Sequence, residues 1–256
     1  MPERLLGHVR DHRISRWLGG REPVVLLSVL LILVVLWGFI QLADEVLEGD
    51  THDFDIWLVE RLRTPDDLSV PVGPRWVQEA GRDATALGGF LWLMFSTFAT
   101  AGYLWLDRKR HLSMFLLGSA VSGYIVSTLL KAYFQRPRPD LVPHLSYVYN
   151  TTSFPSGHSM NAAVIYLTLG AMVAMSVSRK RLKLYVLGVA CFITAIVGAS
   201  RVYLGVHYPT DVLAGWMAGL IWALLCWLVA RWLQRRGDVE PSGPVEPTPE
   251  ETAEPA

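Results

Sequence analysis

Three short polar runs interrupt an otherwise apolar chain. They are Lys131 with Arg138-Pro139, then Pro155-Ser156-Gly157-His158, then Ser200-Arg201 with His207 and Asp211. Lys131, Arg138 and Arg201 are three cations near the ends of apolar segments. A charge held close to a bilayer is costly without a partner. No matching carboxylate cluster is evident in these runs, so an anionic ligand is the expected partner. Ser156 and Gly157 stand where a helix should begin. Serine caps such a start, glycine lets a ligand approach the backbone, and the free N–H groups with the helix dipole favour phosphate.

The spacing of the third run is also informative. Pro209 suits the first turn of a helix, and Tyr208 before it is biased towards extended backbone. A helix starting there carries Asp211 in its first turn, with His207 just ahead. The carboxylate can then accept Nδ1–H of His207 and leave Nε2 free as a nucleophile. This is the orienting logic of a Ser-His-Asp triad with histidine attacking. His207 and Asp211 could instead be metal ligands. A closed metal site would need further ligands, and three nearby cations would repel the ion.

The elements that must position these residues are membrane spans. Of the 256 residues 52% are apolar and 18% charged, against roughly 25% charged in an average soluble domain. Mean hydropathy is +0.31. That composition excludes a disordered chain, a disulfide scaffold and an ordinary soluble enzyme. Spanning helices of about 20 apolar residues are predicted at Pro23–Ala43, Leu87–Leu106, Leu112–Phe134, Ser159–Val177, Leu184–Leu204 and Val212–Leu233. The first reads as an uncleaved anchor, because its apolar run is too long for a signal peptide and no small-residue cleavage site follows. Basic residues gather before the first span (Arg4, Arg10, Arg13, Arg16, Arg21), at Arg108-Lys109-Arg110, at Arg179 to Lys183, and at Arg231, Arg235 and Arg236. With six spans all four groups fall on one side, which places both termini in the cytoplasm. Parity then carries all three polar runs to the outer face.

The fold class expected is therefore all-α: a polytopic protein with a six-span domain over residues 23–236, a cytoplasmic segment at 1–22 and a disordered Pro/Glu-rich cytoplasmic tail at 237–256. The tail contributes six acids and no bases, leaving the first 236 residues six positive charges in excess. That suits anionic headgroups and is too diffuse for nucleic acid. In the long outer loop Asp44–Ala86, residues Phe54 to Leu62 have helical spacing, compatible with either an interfacial amphipathic helix or a plain connector. Cys191 and Cys226 read as buried packing residues, Arg136 as a loop-solvating charge, and His52, His111 and His144 as surface histidines. Gly215 and Gly219 read as a close helix contact inside the bundle. Trp37, Trp76, Trp105 and Trp232 fit interface belts. Asn150-Thr151-Thr152 matches a glycosylation sequon, a motif short enough to recur by chance.

Taken together, Lys131-x6-Arg138-Pro139, Pro155-Ser156-Gly157-His158 and Ser200-Arg201-x5-His207-x3-Asp211 resemble the three motifs of the type 2 phosphatidic acid phosphatase (PAP2) superfamily, complete and in order. The motifs span about 80 residues, and the six-span pattern is similar to the membrane-bound lipid phosphatase branch. The resemblance implies that His207 attacks phosphorus to form a phosphohistidine while Asp211 orients it. It implies that His158 protonates the leaving oxygen and then activates water. Lys131, Arg138 and Arg201 would hold the phosphoryl oxygens, with Ser156 and the Gly157 amide as further donors. Neither metal nor other cofactor is implied.

The function expected is hydrolysis of a lipid phosphomonoester or diphosphate in the cell membrane. Candidate substrates are phosphatidic acid, phosphatidylglycerophosphate and a polyprenyl (undecaprenyl) diphosphate. A lipid A phosphatase or phosphotransferase of the same superfamily is the alternative. The motifs read the phosphate and leave the lipid open, and oligomeric state has no signature in the sequence. A transporter should carry charges at mid-span or internal repeats, and neither is found. A haloperoxidase would share the phosphate pocket but is expected to lack the six spans.

Overall fold

The computed structural model describes residues 22–147 and 152–239. The expectations for the N-terminal segment, most of the acidic tail and most of the sequon lie outside the described residues. Eight helices and one hairpin make up the described chain: α1 Glu22–Glu48, α2 His52–Arg61, β1 Arg63–Thr64, β2 Asp67–Pro71, α3 Arg75–Ala86, α4 Phe90–Leu106, α5 Arg110–Phe134, α6 Gly157–Ser176, α7 Lys180–Tyr203 and α8 Pro209–Arg236. Helices α1, α5, α6, α7 and α8 are each long and apolar enough to cross a bilayer. The pair α3 and α4 makes a sixth candidate, bent by 47°.

α1 shows what its apolar sequence demands. It is buried only at Ser28, Ile32, Phe39 and Ala43, a single stripe at helical spacing, and its other faces are aliphatic and outward. It continues past the expected end at Ala43 to Glu48. Twenty-seven residues make about 40 Å of helix, more than the roughly 30 Å of hydrocarbon. The terminal acids can therefore stand clear of lipid. Trp37 consequently falls near the middle of the helix rather than at a span end. Cys226 is buried as expected, but Cys191 is exposed on α7; an apolar run in a membrane helix does not reveal which face meets protein.

The expected second span at Leu87–Leu106 is a helix that opens on a corner. α4 begins at Phe90, and Gly88 and Gly89 separate it from α3. A Cβ on Gly88 would fall 2.4 Å from Val197 Cγ1, so only glycine lets this corner seat on α7. α6 is the central helix. Ser159, Met160, Ala162, Ala163, Val164 and Ile165 are all buried, and small residues set its distance from α8. A Cβ at Gly219 would come within 2.5 Å of Ala163 Cβ and 2.7 Å of the Met160 carbonyl oxygen. The Gly215 and Gly219 pair is thus a contact inside the bundle. Alternating helix directions bring the C-terminal ends of α1, α5 and α7 together with the N-terminal ends of α4, α6 and α8. The segment holding α2 and the hairpin joins them there, and the basic links at 107–110 and 177–183 lie at the opposite end.

α2 forms where the spacing of Phe54 to Leu62 predicts a helix. Its Asp55 and Val59 are buried, while Phe54 and Trp57 are half-exposed and stack at 6.2 Å. The helix thus presents an aromatic face outward and delivers a carboxylate inward.

Candidate active site

The site begins where α5 stops. Gln135 takes φ +47°, and Arg136-Pro137-Arg138-Pro139 follows. Both arginines precede proline, which disfavours helix and extends the backbone. The segment pairs with the chain returning to α6: Pro137 bridges Thr152 antiparallel, and Ser153 N–H donates to the Arg136 carbonyl at 2.7 Å. In extended backbone residues two apart share a face, so Arg136 and Arg138 both reach the start of α8. Phe154, fully buried, anchors this strip against Phe39 of α1 and Phe134 of α5.

Pro209 opens α8 with Asp211 in its first turn, as the sequence predicts. Asp211 Oδ2 accepts the Tyr208 N–H at 2.9 Å and the Ser153 hydroxyl. His207 Nδ1 lies 3.3 Å from both Asp211 Oδ2 and Ser153 Oγ. On the other side of the ring, Arg138 Nη1 stands 3.0 Å from Nε2 and donates to the Val206 carbonyl at 2.6 Å. A guanidinium can only donate. Nε2 must therefore be the bare nitrogen, and the ring proton sits on Nδ1 towards Asp211. Burial, then the charges of Arg138, Lys131 and Arg201, hold the imidazole well below its ordinary pKa. His207 is a neutral imidazole whose lone pair faces the cations.

The remaining residues converge on the same end. Lys131 Nζ, from the last turn of α5, donates to the carbonyls of Thr152 and Ser153 at 3.2 and 3.3 Å. Its Cε would lie 3.1 Å from a Cβ at Gly157, so the missing side chain makes room for the lysine stem. Ser156 precedes α6 as expected, but its side chain makes no capping bond. Its hydroxyl instead accepts from Ser159 at 3.0 Å, and its N–H donates to the Asp211 carbonyl at 2.9 Å. The Gly157 and His158 N–H groups have no partner among the described residues, as expected for the first turn of a helix. His158 packs beside Gly88 and contributes to the electrostatics at His207.

Arg201 is 2% exposed. It donates from Nη1 to Thr85 Oγ1 at 2.7 Å and stands 3.4 Å from Ser146 Oγ, while its Nε has no partner among the described residues. Among the described residues neither Lys131 nor Arg201 has a carboxylate within ion-pair distance. Cations that meet only carbonyls and hydroxyls could accommodate an oxyanion. No group of three or more His, Cys, Asp or Glu side chains suited to a metal ion occurs among the described residues.

Comparison with known proteins agrees with this geometry. The pattern of the PAP2 superfamily matches residues 112–235, a stretch containing all three motifs. Phosphatidylglycerophosphatase B of Bacillus subtilis is 33% identical over 149 residues, covering 57% of this chain and 71% of that protein. The chain belongs to the PAP2 superfamily. A lipid A 1-phosphatase of Rhizobium etli is 31% identical over 189 residues, covering 63% and 77%. An undecaprenyl-diphosphatase of Sulfolobus acidocaldarius is 31% identical over 124 residues, covering 47% and 56%. The crystal structure of the transmembrane PAP2-type phosphatidylglycerolphosphate phosphatase of Bacillus subtilis superposes with a TM-score of 0.69 at 28% identity, covering 80% of this chain and 98% of that one. This is a multi-pass membrane phosphatase of the PAP2 superfamily.

Within the PAP2 frame, sequence reasoning missed four residues. Arg136 does not solvate the loop: it pairs with Asp211 Oδ1 at 2.8 Å and Asp55 Oδ2 at 2.7 Å, and the two carboxylates outweigh its burial and raise its pKa. The alternation of arginine and proline at 136–139 was the available signal, since it puts Arg136 on the face of Arg138. Asp55, Ser153 and Thr210 carried no comparable signal, because each is defined by partners far away in sequence.

Proposed function

We propose that this PAP2 protein hydrolyses a lipid phosphate or diphosphate through a phosphohistidine. The observation that carries the reading is the placement of His207, with Arg138 against Nε2 and Asp211 with Ser153 against Nδ1, which calls for the Nδ1–H tautomer. His207 Nε2 attacks phosphorus as the P–O bond to the lipid breaks, and His158 gives a proton to the departing oxygen. Arg138 leaves Nε2 for the phosphoryl oxygens, joining Lys131, Arg201, Ser156 and the Gly157 amide. Asp211 stabilises the imidazolium character that His207 acquires. In the second half, His158 takes a proton from water, the hydroxide attacks phosphorus, and the P–N bond breaks to release phosphate and restore His207. Three side-chain cations supply the positive charge this requires, without a metal ion.

The substrate class follows from the relatives, which act on phosphatidylglycerophosphate, lipid A and undecaprenyl diphosphate. The site lies at one end of the bundle, opposite the basic links, which supports an outer-face site with both termini in the cytoplasm. The substrate would then be presented in the outer leaflet of the cell membrane. The test is phosphate release by the purified protein from a panel of lipid mono- and diphosphates, with His207→Ala alongside. Turnover of one lipid class by the native protein, and none by the variant, is the expected outcome. Full activity of His207→Ala on any of them overturns the mechanism.

A further inference from the structure

Asp55 is fully buried, and the chemistry above does not use it. Its Oδ1 accepts the Thr210 N–H at 3.1 Å, and Oδ2 accepts the Thr210 hydroxyl at 2.6 Å and Arg136 Nη2 at 2.7 Å. Arg136 Nη1 then donates to both Thr210 Oγ1 and Asp211 Oδ1 at 2.8 Å. The guanidinium lies over the Tyr208 ring at 4.4 Å. At the start of α8 the Asp211 side chain accepts the Tyr208 N–H and Pro209 has no N–H, which leaves the Thr210 N–H to be satisfied. Asp55 satisfies it from a remote helix and puts negative charge at the positive end of the dipole.

The charge count gives this arrangement its meaning. Arg136 alone would fix Asp211 but cancel its charge, leaving a weak orienter for His207. With Asp55 on the other arm, the three groups carry one net negative charge, and Asp211 keeps Oδ2 turned to Nδ1. We propose that Asp55 and Arg136 are positioning residues for the reaction: Arg136 fixes the Asp211 carboxylate, and Asp55 offsets the arginine so that Asp211 still acts on His207. This rests on the reading of His207 and Asp211 given under Proposed function.

The test is steady-state kinetics of the full-length protein in detergent on a short-chain phosphatidic acid, or on whichever panel lipid turns over. Native protein, Asp55→Asn, Arg136→Gln, Arg136→Lys and His207→Ala are compared. Neither positioning residue meets the phosphate, so kcat should fall about 10- to 100-fold for Asp55→Asn and Arg136→Gln with KM nearly unchanged. The acid limb of kcat/KM should move in opposite directions. Arg136→Gln releases the full charge of Asp211 onto His207 and shifts the limb to higher pH. Asp55→Asn leaves Arg136 free to neutralise Asp211 and shifts it to lower pH. Arg136→Lys keeps the charge but not the two-armed grip, so kcat drops while the limb stays in place. The other groups facing His207 (Lys131 from α5, Arg138, His158 from α6 and Arg201 from α7) are untouched throughout.

Lost activity with an unmoved limb in both Asp55→Asn and Arg136→Gln marks a purely structural role and overturns the proposal. Native-like kcat in both, with His207→Ala inactive, overturns it while leaving the mechanism standing. An active His207→Ala overturns the mechanism itself. Should Arg136→Gln not fold, Asp55→Asn decides: a limb moved to lower pH supports the proposal and an unmoved one overturns it.

Discussion

A Cβ on Gly215 would stand 2.7 Å from the carbonyl oxygen of Ser156. α8 is thus pressed against the first turn of α6, and the same approach lets the Ser156 N–H reach the Asp211 carbonyl at 2.9 Å. Helix packing and site geometry are one contact. Gly215→Ala should therefore lower stability by about 1 to 3 kcal/mol through overpacking and reduce activity further than that loss of folded protein accounts for. Thermal unfolding in detergent and kcat/KM measure the two effects. Native activity in a destabilised variant would separate them.

Ser153 should matter although no motif contains it. Its hydroxyl donates to Asp211 Oδ2 beside His207 Nδ1. Ser153→Ala removes a hydrogen bond to a buried charge, worth about 1.5 to 3 kcal/mol. A drop in kcat/KM of about 10- to 100-fold is expected, with KM little changed. A variant as active as the native protein would remove Ser153 from the orienting group.

The pH profile follows from the direction of the His207 shift. Its folded pKa lies well below the ordinary imidazole value, through burial and then the cations. The reactive neutral form therefore persists as pH falls, and the acid limb of kcat/KM should lie well under about 6.5. An acid limb at or above 6.5, after correction for ionisation of the lipid phosphate, contradicts the assignment of His207 as the attacking group.

Removal of metal should have no effect. Lys131, Arg138 and Arg201 are proposed to supply the charge that a divalent ion supplies elsewhere. Activity is expected to survive excess EDTA, and vanadate should inhibit competitively by occupying the proposed oxyanion site. Activity lost in EDTA and restored by Mg²⁺ would refute this.

Orientation can be read with thiol chemistry in intact cells. Asp140 is exposed at the site end and Arg110 at the opposite end. Asp140→Cys and Arg110→Cys, each in a background lacking Cys191 and Cys226, would be treated with an impermeant reagent. Labelling of the Asp140→Cys variant alone is expected. Labelling of Arg110→Cys alone would invert the protein and remove the outer-leaflet substrate.

What could be read from the sequence was local. Pro209, Asp211 and His207 fall within one helix start, and Lys131 and Arg138 flank one helix end, so spacing alone placed them. Long apolar runs located five spans, but α1 outlasts its apolar run because Asp44, Glu45 and Glu48 cost a helix nothing outside lipid. The corner at Gly88 depends on Val197, more than a hundred positions away. The strand at Arg63–Thr64 is too short, and that at Asp67–Pro71 too exposed, to show a period. The inward turn of Arg136 depends on Asp55, 81 positions earlier, and no window of sequence contains both.

That last separation also orders the making of the protein. Asp55 emerges early in synthesis, yet its partner Thr210 lies 155 residues further on, at the mouth of the final span. Until that span is inserted, Asp55 has Arg136 but not Thr210 as a partner, and α2 lacks its packing against Tyr208 and Val212. The first loop to be made is thus the last to settle. A chain stalled before α8 would display Asp55, Phe54 and Trp57 together on an incompletely docked helix, the kind of surface that quality-control proteases read as unfinished.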